Sequence, residues 1–376
     1  MSSTPVFSAS SESIRRVAEL LNLGETVALP TETVYGLAAN ALLAPAVLKI
    51  FAAKERPSFD PLIVHVSERV LKDPKGPVQA LADAGLISTE ILQWNAVAAL
   101  EAAMKTFWPG PLTFILPRGP KIPDEVTSGQ ETVGIRCPAH PLFQAVLTEL
   151  DFPLAAPSAN RFGRISPTCA DHVVQELDGR IAGVLDGGTC PVGVESTIIQ
   201  IEEPLRVTLL RPGKIGSSDL QKIFKTPIGR RATDGETSGN SSPISSPVSP
   251  GLLDEHYAPR KPLILIPASF SDEKAVMETL AAFPPSEKDA ILAMQAIPPY
   301  LQNRKHSVVK ILSPENSARE MAQTLFATMR ELDQNPNVER IICDLPNDGP
   351  DSSGAGLSSA IRDRLRRASR NKPAIN

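Results

Sequence analysis

Lys54 and Arg56 stand two residues apart where an apolar helical pattern, Pro45 to Lys54 with Val47, Ile50 and Phe51, runs out before Pro57. Placed in a helix-to-strand loop, a compact ammonium and a planar guanidinium can neutralise phosphate oxygens. Just upstream, Thr31, Glu32, Thr33 and Tyr35 crowd polar groups onto a turn that Gly36 lets close, and these supply the neutral donors an anion site needs. A second polar group, Ser158 and Asn160, is flanked by Pro157 and Ala159 and can donate to the same oxygens. Each pair alone also has an ordinary reading, because a KxR at a surface is usually solvated and an SxN is usually a turn or cap. No GxxxxGK[ST] loop, kinase signature, GxSxG elbow or HExxH is present. A bound nucleotide would therefore be held by side-chain cations and not by a phosphate-cradling backbone.

The elements that must position these groups follow an α/β pattern. Ser11 to Leu23 places Ile14, Val17, Leu20 and Leu21 on one helical face, and Gly24 ends it. Thr26 to Pro30 and Pro61 to Val66 read as strands around the turn and helix. Thr89 to Met104 reads as a helix, and a WPGP turn then leads into the strand LTFIL. Thr132 to Arg136 is a strand, Ala139 to Leu150 a helix, and Phe152 to Ala156 a strand entering the SAN tripeptide. Pro167 is expected at N1 of a helix to Leu177, with strands at Ile181–Leu185, Ser196–Ile201 and Arg206–Leu210. Strands that first alternate with helices and then follow one another imply a mixed sheet.

A chain of 376 residues suggests two or three domains. Residues 226–262 are rich in Ser, Gly, Pro and Thr and read as a linker, with HYAP (256–259) as an aromatic exception that docks on the protein. Residues 1–225 would then form one domain, and 263–376 a small parallel-sheet domain in which Ser313 caps a helix over Glu315–Leu332 with Pro314 at N1. Gly354-x-Gly356 is too short a pattern for a dinucleotide site. Arg362, Arg364, Arg366, Arg367, Arg370 and Lys372 crowd the last helix, either as a solvated face or as an RNA or partner contact. The net charge of −4 gives no overall basic field for nucleic acid. Cys137, Cys169, Cys190 and Cys343 lack metal-ligand spacing and fit a reducing compartment. With no long apolar run and no secretion signal, a cytoplasmic protein without a membrane contact is expected.

PTETVYGL (30–37), KERP (54–57), PLIVHV (61–66), FWPGPLT (107–113), TVGIRCPAHP (132–141), APSANRFGRISPT (156–168), VESTII (194–199) and LLRPG (209–213) together resemble the YrdC-like threonylcarbamoyl-adenylate synthases. SPGLLDEHYAP (249–259) and DRLRRAS (363–369) resemble the two-domain form of that family. The resemblance implies an N-terminal YrdC-like domain with a twisted mixed sheet and helices, plus a small C-terminal Rossmann-like parallel α/β domain. It also implies a linker that crosses the active site.

The activity it implies is nucleotidyl transfer: L-threonine, bicarbonate and ATP give threonylcarbamoyl-AMP and pyrophosphate. A downstream tRNA threonylcarbamoyl transferase would use the product, and direct tRNA contact is a further option. Carried over by motif, Thr33, His65, Arg136, Ala156 and Ser196 match the threonine site, with Ala156 acting through its backbone. Arg56, Asp60, Thr132, Ser158, Ser166, Arg211 and Tyr257 match ATP contacts, and Lys54 and Asn160 complete the two motifs. Lys54, Arg56, Ser158 and Asn160 would stabilise the transferring phosphates together with a Mg²⁺ carried by ATP, without a dedicated protein ligand cluster. His65 is a hydrogen-bonder or a base, and Glu195 holds the loop or approaches the metal.

Two departures stand out. Asp60 replaces the frequent Asn, and an acid there would repel phosphate unless paired. Glu55 replaces the usual Gly, which matters less if its side chain faces water. Threonine differs from serine by a methyl worth only about 1–3 kcal/mol, so leakage to serine is expected. Two other readings compete. One is an RNA-binding module. The other is the carbamoyl-transfer domain of hydrogenase maturation factors, whose zinc-finger cysteines have no counterpart here.

Overall fold

The computed structural model describes residues 3–230, 256–346 and 355–369. Its larger sheet has eleven strands in the spatial order Val6–Phe7, Gly183–Leu185, Val27–Leu29, Gly36–Asn40, Leu154–Ala155, Ile63–His65, Thr132–Arg136, Leu112–Pro117, Thr197–Glu202, Arg206–Arg211 and Ile228–Arg230. Parallel and antiparallel neighbours mix in it. Four parallel strands, Leu263–Leu265, Arg340–Cys343, Asp289–Ala293 and Val308–Ile311, form the second sheet. The mixed α/β class and the small parallel sheet expected from the sequence are both present.

The main core forms where helices such as Ala44–Lys54 and Val97–Phe107 cover one face of the large sheet with Val47, Ile50, Leu100 and Met104. Helices Ser11–Asn22 and Pro141–Thr148 pack Val17, Leu21, Phe143 and Val146 elsewhere against it. One cluster joins the two parts of the chain, because Val34, Ile165, Val192 and Val194 pack with Phe326, Leu357 and Tyr257. The second sheet therefore does not stand apart from the first.

Several local expectations change in the folded chain. The polar turn at Thr31–Tyr35 leads not into a helix but into the strand Gly36–Asn40, whose Ala-rich sequence carries little β-signal. Gly36 is needed there for close approach: a Cβ would lie 3.2 Å from that of Ala156, where Gly36 bridges to Ser158. The Thr89–Met104 helix divides into a 3₁₀ turn, Thr89–Gln93, and a helix, Val97–Phe107. Pro167 is not at N1; the helix starts at Ala170, and the Pro167 carbonyl accepts the Tyr35 amide. Ser317, not Ser313, caps the helix Ala318–Gln334, while the Ser313 hydroxyl donates to Glu320 at 2.5 Å.

The stretch read as linker also contains ordered backbone. Ile228–Arg230 pairs with Val207–Leu209, and Ala258 bridges to Arg164. Residues 231–255, with most of the Ser/Gly/Pro run, lie outside the described residues, as do Gly354, Arg370 and Lys372.

Candidate active site

Sheet register explains why distant motifs converge. His65 pairs with Arg136, and Arg136 pairs with Thr113 on the other side, so the three stand in one row on one face. Arg136 is buried and donates from Nη2 to Glu32 Oε1 at 2.7 Å and to Thr33 Oγ1 at 3.0 Å. Glu32 also accepts the Ala139 amide at 3.0 Å. Thr33 is fixed in turn by the Thr31 hydroxyl, which lies 2.8 Å from its own and accepts its amide at 3.0 Å. Thr113 and Ser196 hydroxyls lie 2.8 Å apart, and Arg211 donates to Ser196 Oγ at 3.1 Å. The buried Arg136 Nε has no hydrogen-bond partner, which leaves one donor of the fork for a ligand carboxylate.

His65 borders this cleft with Nδ1 3.1 Å from the Ile63 carbonyl and its ring against Phe143. Burial, reinforced by Arg136, lowers its pKa to about 3. It is a neutral imidazole near pH 7 and a weak base. The geometry favours hydrogen bonding over proton abstraction. The Ala156 amide donates to the Ile63 carbonyl at 3.0 Å, and Ala156 borders the cleft.

Arg56 borders the other end of the cleft, whereas Lys54, Asn160 and Ser166 are enclosed behind its wall. The Ala44–Lys54 helix stops because Glu55 adopts a left-handed φ of 53°, which is the physical reason a glycine suits that position. The exposed Glu55 carboxylate instead pairs with Arg161 and Arg180. Lys54 points inward and is enclosed, with Nζ donating to the carbonyls of Ser158 and Asn160 at 2.5 Å each. Burial, then the neighbouring Arg56, pushes its pKa well below the usual lysine value. Arg56 donates to the Asp60 and Pro61 carbonyls at 3.1 and 2.8 Å. It also pairs with the Asp60 carboxylate at 2.8 Å. The acid at position 60, expected to repel phosphate unless paired, is thus paired with Arg56, while burial raises its pKa.

Ser158, Pro157 and Gly36 line the floor between the two ends, next to Arg56 and Arg211. Asn160 turns its amide toward the Arg161 and Arg164 carbonyls, and its buried Oδ1 has no partner. Ser166 is enclosed and donates to Glu195 at 2.5 Å. Above the cleft, Tyr257 is buried with φ of 65°, stacked on Phe326 at 5.7 Å and edge-on to His256 at 4.1 Å. His256 and Tyr257 both border the cleft that Arg56 and His65 line. Thr132 does not border it: it sits at the opposite end of its strand from Arg136, paired with Pro117.

Two residues of this site carry little weight in a sequence reading. Glu32 holds Arg136, and its signal is only its place inside PTETVYGL. Arg364, expected on a solvated face or at a partner, is instead 1% exposed and bonded to Glu195. Glu195 borders the cleft and accepts from Ser166 and Arg364, one on each oxygen, so it holds the loop together.

A mixed sheet with an arginine–hydroxyl pocket at one end, Arg56 at the other and His256 and Tyr257 on its border defines a class: an α/β protein with one polar, arginine-lined cleft. The comparisons with known proteins specify it. Residues 19–213 match the family model described as "Telomere recombination", and 215–370 match "Threonylcarbamoyl-AMP synthase, C-terminal domain". The threonylcarbamoyl-AMP synthase of Pyrococcus abyssi is 33% identical over 95% of this chain and 94% of its own. That of Bacillus subtilis is 44% identical over 71% of this chain and 70% of its own. The crystal structure of P. abyssi Sua5 complexed with L-threonine superposes with a TM-score of 0.80 at 31% identity, covering 97% of this chain and 98% of that one. The chain belongs to the two-domain threonylcarbamoyl-AMP synthase family.

Proposed function

We infer that this chain is a threonylcarbamoyl-AMP synthase, a nucleotidyltransferase that forms L-threonylcarbamoyladenylate and pyrophosphate from L-threonine, bicarbonate and ATP. One observation in the fold supports it most: a single cleft places Arg136, Thr33 and His65 beside Arg56 and Ser158, under Tyr257. Arg136 and Thr33 would take the threonine carboxylate and its neighbouring donors, and the P. abyssi relative carries L-threonine in its crystal structure. Lys54, Arg56, Ser158, Asn160 and Arg211 would take the phosphates, with Tyr257 and Ser166 toward the nucleotide.

The chemistry asks little covalent work of the protein. Threonine amine and bicarbonate give a carbamate and water. A carbamate oxygen then attacks the α-phosphorus, the bond to the bridging oxygen breaks, and pyrophosphate leaves with that electron pair. The carbamate is already an anionic nucleophile, so positioning and charge stabilisation suffice. Lys54 and Arg56 stabilise the charge that develops on the leaving pyrophosphate. Asp60 and Glu195, the carboxylates at this end, are committed to Arg56 and Arg364. A Mg²⁺ would arrive on the triphosphate and neutralise its charge.

The product is a donor for threonylcarbamoylation of adenosine in tRNA, and a transferase must receive it. Direct tRNA binding has less support than it had in the sequence, because Arg364 of the basic last helix is internal and Arg367 pairs with Asp363. No helix among the described residues is long and apolar enough to cross a membrane. The test is pyrophosphate release from ATP and bicarbonate with and without L-threonine, in wild type and Lys54→Ala. Threonine-dependent release that the substitution abolishes is expected. Release indifferent to threonine would overturn the reading, and a salt-dependent RNA shift without turnover would favour a binding module.

A further inference from the structure

Arg364 is the largest side chain fully enclosed in the described part of the molecule, and it belongs to the C-terminal helix Ala355–Ser369. It reaches into the catalytic part of the chain. Nε donates to Glu195 Oε2 at 2.8 Å, and Nη1 donates to the Pro212 carbonyl at 3.0 Å and to Asp363 at 2.8 Å. Its guanidinium carbon lies 5.2 Å from the centre of the Tyr257 ring, a cation–π distance. The same ring stacks on Phe326 of the helix Ala318–Gln334. Tyr257 is thus gripped by two side chains of the C-terminal part while its backbone holds a left-handed φ of 65°, a conformation a tyrosine does not keep without surrounding support.

The second end of the same guanidinium acts on the loop that carries Ser196. Glu195 is held by Arg364 and Ser166 together, and the next residue, Ser196, accepts from Arg211 through both its carbonyl and its hydroxyl. Pro212, whose carbonyl Arg364 binds, directly follows Arg211. Breaking a buried ion pair leaves an uncompensated charge, so Arg364 and Glu195 are held to each other. The arrangement held here is the register between the Tyr257 ring and the Glu195–Ser196 loop.

We propose that Arg364 is a positioning residue for adenylate formation: from the C-terminal helix it clamps Tyr257 and the Glu195–Ser196 loop, so that this helix completes the ATP end of the cleft. The proposal rests on the reading of Tyr257 as an ATP contact. It gives the C-terminal part of the chain a role in catalysis distinct from carrying a separate ligand.

The test uses the full chain with Arg364→Met, Arg364→Lys and Tyr257→Ala, alone and combined. ATP KM, kcat, threonine affinity by calorimetry and thermal stability are measured for each. Arg364→Met should raise ATP KM by about tenfold or more, since a desolvated cation–π contact and a charge-assisted bond are both lost. Threonine affinity should fall by less than the ATP effect, since Ser196 keeps its bonds to Thr113 and Arg211, and Arg364→Lys should recover part of the loss. In the Tyr257→Ala background, Arg364→Met should add clearly less than it does alone, because the cation–π contact is already gone and only the bond to Glu195 remains to be lost. An ATP KM within about twofold of wild type in Arg364→Met, or the full effect appearing again without Tyr257, would overturn the proposal. If Arg364→Met does not fold, Arg364→Met with Glu195→Gln, which leaves no unpaired buried carboxylate, carries the same comparison. A wild type without threonine-dependent pyrophosphate release would overturn the function instead, and ATP affinity by calorimetry across the same variants would still decide the role of Arg364.

Discussion

At the threonine end of the cleft, the side chains are already bonded to one another: Arg136 to Thr33 and Glu32, Thr113 to Ser196, Ser196 to Arg211. Arg136, Thr113 and Arg211 stand on strands of one sheet, where register fixes them, and Glu32, Thr33 and Ser196 lie in loops that adjoin strands of the same sheet. At the phosphate end, Lys54 and Arg56 give their donors to backbone carbonyls, and the surroundings come from the SAN loop, the HYAP segment and the last helix. The first end is pre-organised by one sheet, and the second is assembled from separate pieces of chain. The threonine end should therefore tolerate changes in the C-terminal part better than the ATP end does.

The sharpest way to break this contrast is Lys54→Ala. A lost charge-stabilising donor in a dry site costs on the order of 10²–10³ in kcat. The substitution also orphans the Ser158 and Asn160 carbonyls. Pyrophosphate release should fall by that factor while threonine affinity, measured by calorimetry, stays near wild type. Equal loss at both ends would show that the ends are not separable. Arg136→Ala attacks the other end. Loss of a charge-assisted bond should weaken threonine about 10–100-fold. It also leaves Glu32 buried and unpaired, costing about 3–5 kcal/mol of stability. Arg136→Ala with Glu32→Gln should restore most of the stability but not the threonine affinity.

The same contrast explains what could be read from the sequence. Thr132–Arg136 matches its expected strand at both ends, because Val133 and Ile135 alternate with the residues that face the site. The motif residues of the threonine end are local to such strands and were legible. Gly36–Asn40 was not, since small residues packed at close approach carry no β-propensity. Glu55 was legible as a departure but not as a left-handed helix stop. Arg364 was hidden by its neighbours: Arg362, Arg366 and Arg367 make the helix look like a solvated basic face, and only the fold reveals which arginine turns inward.

A smaller effect is expected at His65. Its folded pKa, lowered to about 3 by burial and then by Arg136, lies below the ordinary 6.5. The unfolded chain therefore takes up a proton first as pH falls. Stability from this group is complete above about pH 6.5 and drains away as pH drops toward 3. His65→Gln should flatten the acid limb of a Tm-against-pH curve. It should raise the threonine KM a few-fold while kcat stays within about threefold, as for loss of one neutral hydrogen bond. A collapse of kcat with unchanged KM would make His65 the base after all.

The smallest effect belongs to Asp60→Asn, and its sign is informative. Asp60 pairs with Arg56 inside the protein, where burial pushes the arginine pKa down and the carboxylate pKa up. In the absence of nucleotide the pair compensates itself, and removing the acid leaves a buried cation without its counter-charge. The apo protein should then melt lower, though by less than Arg136→Ala does, because Asn fills the same space and the Asp60 and Pro61 carbonyls still accept from Arg56. Triphosphate would replace the missing carboxylate, so ATP should raise the Tm of Asp60→Asn more than that of wild type. ATP KM should stay within about threefold or fall, because phosphate no longer competes with Asp60 for Arg56. A tenfold rise in KM would instead mean that the carboxylate itself helps hold ATP, and that the phosphate end is more pre-organised than its bonding to carbonyls implies.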